Sequence, residues 1–220
     1  MLHRNSINKF FNKDIALLFF LYLTLLISFY LGENSTGGAI KDYISQKKIS
    51  LLFVDDFLGS LLNYDQFSQR HAPSLVVFLS IFEKFNVPDF SIRLIHLHIC
   101  LLLPIFFFQA LKVRYPNLNY KILILINSLI WISPTFRSLA IWPDSRLFGL
   151  MFFTLAIVFF LKFENEKKFK FVIGNIIFTA LSSYFSPNFS VFSIFFLLKF
   201  ISYYELFSRQ IIYALILNLI

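Results

Sequence analysis

Gly32-Glu33-Asn34-Ser35-Thr36-Gly37-Gly38-Ala39-Ile40-Lys41-Asp42-Tyr43 is the one long polar window in a chain otherwise built of apolar runs with short charged punctuation. Before it lies an apolar run, residues 15–31, preceded by Arg4, Lys9 and Lys13. After it, the next apolar run does not begin until residue 74. Residues 15–31 match the length of a membrane-crossing helix. The run is long for the apolar core of a signal peptide, and no small-x-small cleavage site precedes Gly32, so an uncleaved signal-anchor helix is expected. The polar window then opens an external loop close to the bilayer surface.

Composition points the same way. Of the 220 residues, 58% are hydrophobic, against about 45–50% in a soluble domain. The mean hydropathy is +0.71. Water is a poor solvent for so much apolar surface, and lipid is expected in its place. The net charge of +8 sits largely in short loops between apolar runs, as the positive-inside rule requires. No basic stretch carries the aromatic interleaving of a nucleic-acid groove, so no nucleic-acid partner is expected. Cys100, the single cysteine, lies in an apolar run and reads as a small core residue.

Further spans are expected within residues 94–111, 122–132, 147–163, 171–184 and 189–203, and a last apolar run occupies 211–220. None alternates polar and apolar residues as barrel strands do. The expected class is all-α: a polytopic helical integral membrane protein, with residues 15–31 as first span, 32–93 as an external loop carrying surface or re-entrant helices, and 94–220 as further spans. Residues 74–85, about twelve long, fit a re-entrant or interfacial helix, and positive-inside counting decides whether they cross. If they stay on the outer surface, Lys112, Arg114 and Lys121 join Lys162, Lys167, Lys168 and Lys170 on the cytoplasmic side with the amino terminus. Residues 49–62 read as one amphipathic helix lying on the membrane.

This topology gathers three polar features on the outer face. They are the window with Asp42, the stretch from Ser133-Pro134 through Arg137 to Trp142-Pro143-Asp144-Ser145-Arg146, and Ser186-Pro187-Asn188. Asp42 follows Gly37-Gly38, where a turn is expected. Such a carboxylate is either a general base for a hydroxyl or a solvated loop acid beside Lys41. Arg70 and His71, at the foot of the 74–85 segment, suit a phosphate or simply reach toward head groups. Asp144 and Arg146 flank a helix start, where an acid is favourable for dipole reasons alone. Asp55-Asp56 read as a solvated pair. His96 and His98 lack the four-residue spacing of a helical zinc site.

The order of these parts resembles the amino-terminal part of GT-C glycosyltransferases, the superfamily of protein O-mannosyltransferases and the aminoarabinose transferase of lipid A. The matching stretches are Gly37-Gly38-Ala39-Ile40-Lys41-Asp42-Tyr43, Arg70-His71-Ala72-Pro73-Ser74, Phe85-Asn86-Val87-Pro88-Asp89-Phe90-Ser91-Ile92-Arg93, and Ser133-Pro134 with Arg137 and Trp142-Pro143-Asp144-Ser145-Arg146-Leu147. The chain departs from relatives in having a lone Asp42 where some carry adjacent acids, and in ending within an apolar run after about six spans, where relatives have roughly nine to thirteen helices. An amino-terminal part of a larger enzyme is therefore expected.

The resemblance implies sugar transfer from a polyprenyl-phosphate donor to a hydroxyl of a glycan, lipid or protein acceptor at the outer face of a bacterial cytoplasmic (inner) membrane. Asp42 would be the catalytic base. Arg70, His71, Arg137, Asp144 and Arg146 would bind substrate, with a divalent ion, Mg or Mn, as the cofactor such chemistry admits. The competing class is a non-catalytic membrane subunit or a transporter component. Few ionisable residues fall mid-span, which weighs against transport.

Overall fold

The computed structural model describes residues 2–34, 37–67, 72–204 and 208–218, with side chains from Ala16 to Leu217 apart from the gaps. Among the described residues the fold is all-helical, without a strand. Twelve α-helices follow in order: α1 (Leu2–Tyr30), α2 (Gly38–Asp55), α3 (Phe57–Leu62), α4 (Ser74–Lys84), α5 (Asp89–Cys100), α6 (Leu102–Arg114), α7 (Tyr120–Ile132), α8 (Pro134–Ile141), α9 (Ser145–Glu166), α10 (Phe169–Phe185), α11 (Val191–Tyr204) and α12 (Arg209–Asn218).

By length and composition, two helical stretches are able to cross a membrane. They are Asp89–Arg114, which joins α5 and α6, and Ser145–Glu166. A third arises if α7 and α8, bent by 59° at their junction, count as one span. The bend falls at Pro134, which cannot donate its missing N–H and restricts the residue before it. Pro104 acts similarly on the first stretch. It removes the hydrogen bond to the carbonyl of Cys100, and the helix is interrupted at Leu101. Helix α1 is apolar over Ala16–Tyr30 but falls below that length among the residues whose side chains are described.

Helix ends follow local chemistry. Gly32 closes α1 in the left-handed region, at φ 65°. There the amide of Glu33 donates to the carbonyl of Ser28 at 2.9 Å, and that of Gly32 to Phe29 at 3.2 Å, the paired bonds of a Schellman end. Asn86, at φ 52°, closes α4 in the same way before Pro88. Lys167, at φ 55°, ends α9.

Two expectations change here. The region after Gly37-Gly38 is not a turn holding Asp42: Gly38 is the first residue of α2, and Asp42 rides on that helix. Gly37 sits before it in an extended conformation, where a Cβ would run into the side chain of Asn34. Residues 49–62 are also not one helix. Asp56 leaves the helical region, and its carboxylate accepts from the amide of Gly59 at 2.9 Å to start α3.

Two main cores hold the bundle. One packs Leu25, Leu75, Leu79, Ile92, Leu97 and Ile141 between α1, α4, α5 and α8. The other packs Phe160, Phe163, Phe171, Phe196, Phe200 and Ile211 between α9 and α12. A smaller one packs Ile49 and Phe53 of α2 against Val76 of α4. The outer surface stays apolar: Phe19, Leu125 and Leu198 are 58%, 64% and 62% exposed, which suits lipid better than water. The bundle has two unlike ends. At one, Asn165 donates to the carbonyl of Val113 at 3.4 Å and Tyr204 to that of Lys167 at 3.2 Å, drawing the basic turns 112–121 and 162–170 together. Arg146 lies at the opposite end of α9 from Asn165, about 30 Å away at 1.5 Å rise per residue.

Candidate functional site

At the end away from the basic turns 112–121 and 162–170, three residues singled out in the sequence meet. Asp144 precedes α9 and caps it, its Oδ1 accepting from the amide of Arg146 at 2.7 Å. The same carboxylate takes the Arg146 side chain, with Nη2 at 2.6 Å from Oδ2 and Nε at 3.0 Å from Oδ1. Asp144 is fully buried. A carboxylate so enclosed requires a charged partner, and Arg146 is that partner. The other side of the guanidinium reaches the surface, where Nη2 lies 2.9 Å from Oδ2 of Asp42 on α2. Asp42 and Arg146 are each nearly half exposed. One guanidinium thus joins a buried acid that fixes it to an exposed acid open to the surroundings.

Arg146 also lines a cavity of about 750 Å³. Its walls are mostly apolar, including Leu103, Phe107, Leu139, Leu150 and Ile157, while Ser133, Thr135, Ser186 and Asn188 add polar groups. All three polar features singled out in the sequence therefore contribute to one region, with Asp42 reaching it through Arg146.

Arg137 belongs to a different network. Its Nη2 lies 2.9 Å from Oε2 of Glu33 and 3.3 Å from the carbonyl of Thr24, and it also donates to Oγ of Ser28. Trp142 adds a bond from Nε1 to the carbonyl of Glu33 at 3.0 Å. Arg137 is thus committed to tying the end of α1 to α8. The hydrogen bond from Arg137 holds the Glu33 carboxyl below its ordinary range. Arg70 and His71 lie outside the described residues.

A third polar group was missed in the sequence. Asp89 accepts from the hydroxyl of Tyr43 at 2.5 Å and from Nζ of Lys47 at 2.9 Å, and Lys47 also lies 3.4 Å from Glu83. Burial and then Asp89 push the Tyr43 hydroxyl up. Burial opposes the charge on Lys47, yet its bonds to Asp89 raise it overall. Arg93 stacks 3.6 Å above the centre of Trp142 and donates to the carbonyl of Ile141 at 3.2 Å. The i, i+4 spacing of Tyr43 and Lys47 was the available signal; their partners are remote in sequence.

His96 is buried, with Nδ1 3.1 Å from the carbonyl of Ala140, whereas His98 is exposed and contacts Tyr22. Among the described residues no three His, Cys, Asp or Glu side chains come together as a metal site. Both oxygens of Asp144 are already in contact with Arg146, so the cation this site offers is a guanidinium. No family model, no curated protein and no solved structure matches the chain.

Proposed function

We propose that this chain is a membrane-embedded glycosyltransferase part that moves a sugar from a polyprenyl-phosphate donor to an acceptor hydroxyl. The observation that carries the reading is Arg146, shared between the exposed carboxylate of Asp42 and a 750 Å³ apolar cavity. A lipid-linked donor needs both an apolar bed and a fixed cation for its phosphate. A planar guanidinium held by a buried carboxylate supplies that cation with little loss of side-chain freedom.

In this reading Asp42 takes the proton of the acceptor hydroxyl. The oxygen attacks the anomeric carbon, the bond from that carbon to the phosphate oxygen breaks, and the polyprenyl phosphate leaves with the electron pair. The configuration inverts because one displacement occurs. Arg146 offsets the charge that grows on the leaving phosphate, while Asp144 holds Arg146 in place. Among the described residues no group is fitted to a divalent ion, and no step is routed through Mg or Mn. The apolar exposed surface supports membrane residence of the bundle, and the positive-inside rule supports an orientation with Asp42 on the outer face and the lysine-rich turns in the cytoplasm.

The test is turnover with a polyprenyl-phosphate sugar in bilayers. Asp42→Asn is expected to lower it by about 10²–10⁴-fold, the usual contribution of a general base. Near-normal turnover in a well-folded Asp42→Asn protein would remove Asp42 from that role.

A further inference from the structure

We propose that the cleft between α2 and the start of α5 binds the phosphate of an anionic phospholipid. The cleft holds about 410 Å³. Ile40, Tyr43, Ile44, Lys47, Lys48 and Leu51 form one wall, a continuous face of α2 by their spacing of three and four. Asp89, Arg93 and Trp142 form the other. Asp42 is two positions from both Ile40 and Ile44, about 200° around the helix. Helix α2 therefore separates this cleft from the Asp42–Arg146 site.

Charge balance favours an anion. Lys47 is already held by Asp89 and Glu83. Among the described residues, neither Lys48 nor Arg93 forms an ion pair with a carboxylate. Arg93 is kept in place by the Ile141 carbonyl and the Trp142 ring, and its Nη2 is buried without a hydrogen-bond partner. The three cations against two carboxylates leave an excess of positive charge.

The apolar wall narrows the anion to a lipid. Ile44 and Leu51 are 46% and 48% exposed. Leu58 and Leu62 of the following helix α3 are also exposed. A small soluble anion gains nothing from such a wall. A phospholipid lays its chains along Ile40, Ile44 and Leu51 while its phosphate meets Lys48 and Arg93. A choline headgroup returns a positive charge to the cleft, so a net-negative headgroup is preferred. This inference rests on the membrane residence proposed above and not on sugar transfer.

The sequence has two tryptophans, and Trp142 lines the cleft. Trp131→Phe makes Trp142 the sole reporter; Nε1 of Trp131 has no hydrogen-bond partner to lose. The full chain is reconstituted in vesicles containing phosphatidylglycerol or phosphatidylcholine brominated in the chains. Phosphatidylglycerol is expected to quench Trp142 at about fivefold lower mole fraction, the effect of one basic residue at an anionic surface. Lys48→Gln is expected to abolish most of that preference. Equal quenching by the two lipids, or a preference unchanged in Lys48→Gln, overturns the proposal. Relief of phosphatidylglycerol quenching by inorganic phosphate would assign the cleft to a free anion and also overturns it. Absence of quenching by either lipid overturns the cleft as a lipid site. Transfer activity is not read in this assay, so failure of the lipid site and failure of Asp42 as a base are separate results.

Discussion

Asp144 does two things that one pair of substitutions separates. Its carboxylate caps α9 through the Arg146 amide and anchors the Arg146 side chain. Asparagine caps about as well as aspartate but carries no charge. Asp144→Ala is therefore expected to be less stable than Asp144→Asn by about 1 kcal/mol, the worth of a helix cap. Both are expected to lower sugar transfer to a similar degree, since both release Arg146. The cost of losing the pair stays below that of a fully buried one, because Arg146 keeps Asp42 and water as partners. Thermal unfolding in detergent beside turnover reads the two effects. Equal stability of the variants would remove the capping role, and normal turnover in Asp144→Asn would remove the anchoring role.

At the level of helices, the tightest approach on the cavity side is at Gly149 of α9. A Cβ there would stand 2.7 Å from Cβ of Ser186 and 3.0 Å from the Phe189 ring. The carbonyl of Gly149 also accepts from Ser182 at 2.8 Å, which holds α10 against α9. Alanine gains about 1 kcal/mol of helix propensity, but overpacking costs about 1–3 kcal/mol. The Ser186 Cβ moves only with its backbone, so the clash is expected to win by about 1 kcal/mol. Adding Ser186→Gly should restore stability, with a coupling above about 0.5 kcal/mol in a double-mutant cycle; simple additivity would mean that the contact carries no strain. Most helices were legible in the sequence because their apolar runs are long and their stops are proline or a left-handed residue. Helix α2 was not. Gly37-Gly38 after Ser35-Thr36 reads as a turn, and what makes α2 a helix is burial of Ala39, Tyr43 and Phe53, which only the folded chain supplies. The break at Asp56 was hidden for a similar reason: one aspartate switching from a surface residue to a cap leaves no mark on apolar periodicity.

For the molecule as a whole, the pairing of its ends makes a prediction about sidedness. The basic turns 112–121 and 162–170 share one end, and Ser74 donates to the carbonyl of Tyr184 at 2.7 Å at the other. With the cytoplasm at the basic end, Asn188→Cys is expected to react with an impermeant maleimide in intact cells and Asn117→Cys only after permeabilisation. Both positions are exposed, and the native Cys100 is buried. The reverse pattern would invert the bundle and remove Asp42 from the outer face. Asp42, Asp144 and Arg146 were each legible as chemistry-bearing residues, but their union was not. Nothing in local spacing connects α2 to the start of α9. Arg137 shows the limit in the other direction: as a residue type it suits a phosphate, and the fold commits it to Glu33.

Glu33 with Arg137, Asn34 with Ser138 and Asp42 with Arg146 are all 104 residues apart. The two segments lie side by side in one register, and this sets a clock. At about 5–20 residues per second of synthesis, Asp42 leaves the ribosome roughly 5–20 s before the arginine that completes its site. In that interval α2 has only earlier partners, Glu83 and Asp89, to hold Lys47 and Tyr43 in place. The Tyr43–Asp89–Lys47 bonds on one side of α2 can therefore form first, whereas Trp142, which closes the cleft, and Arg146, which meets Asp42, arrive together with the second half of the chain.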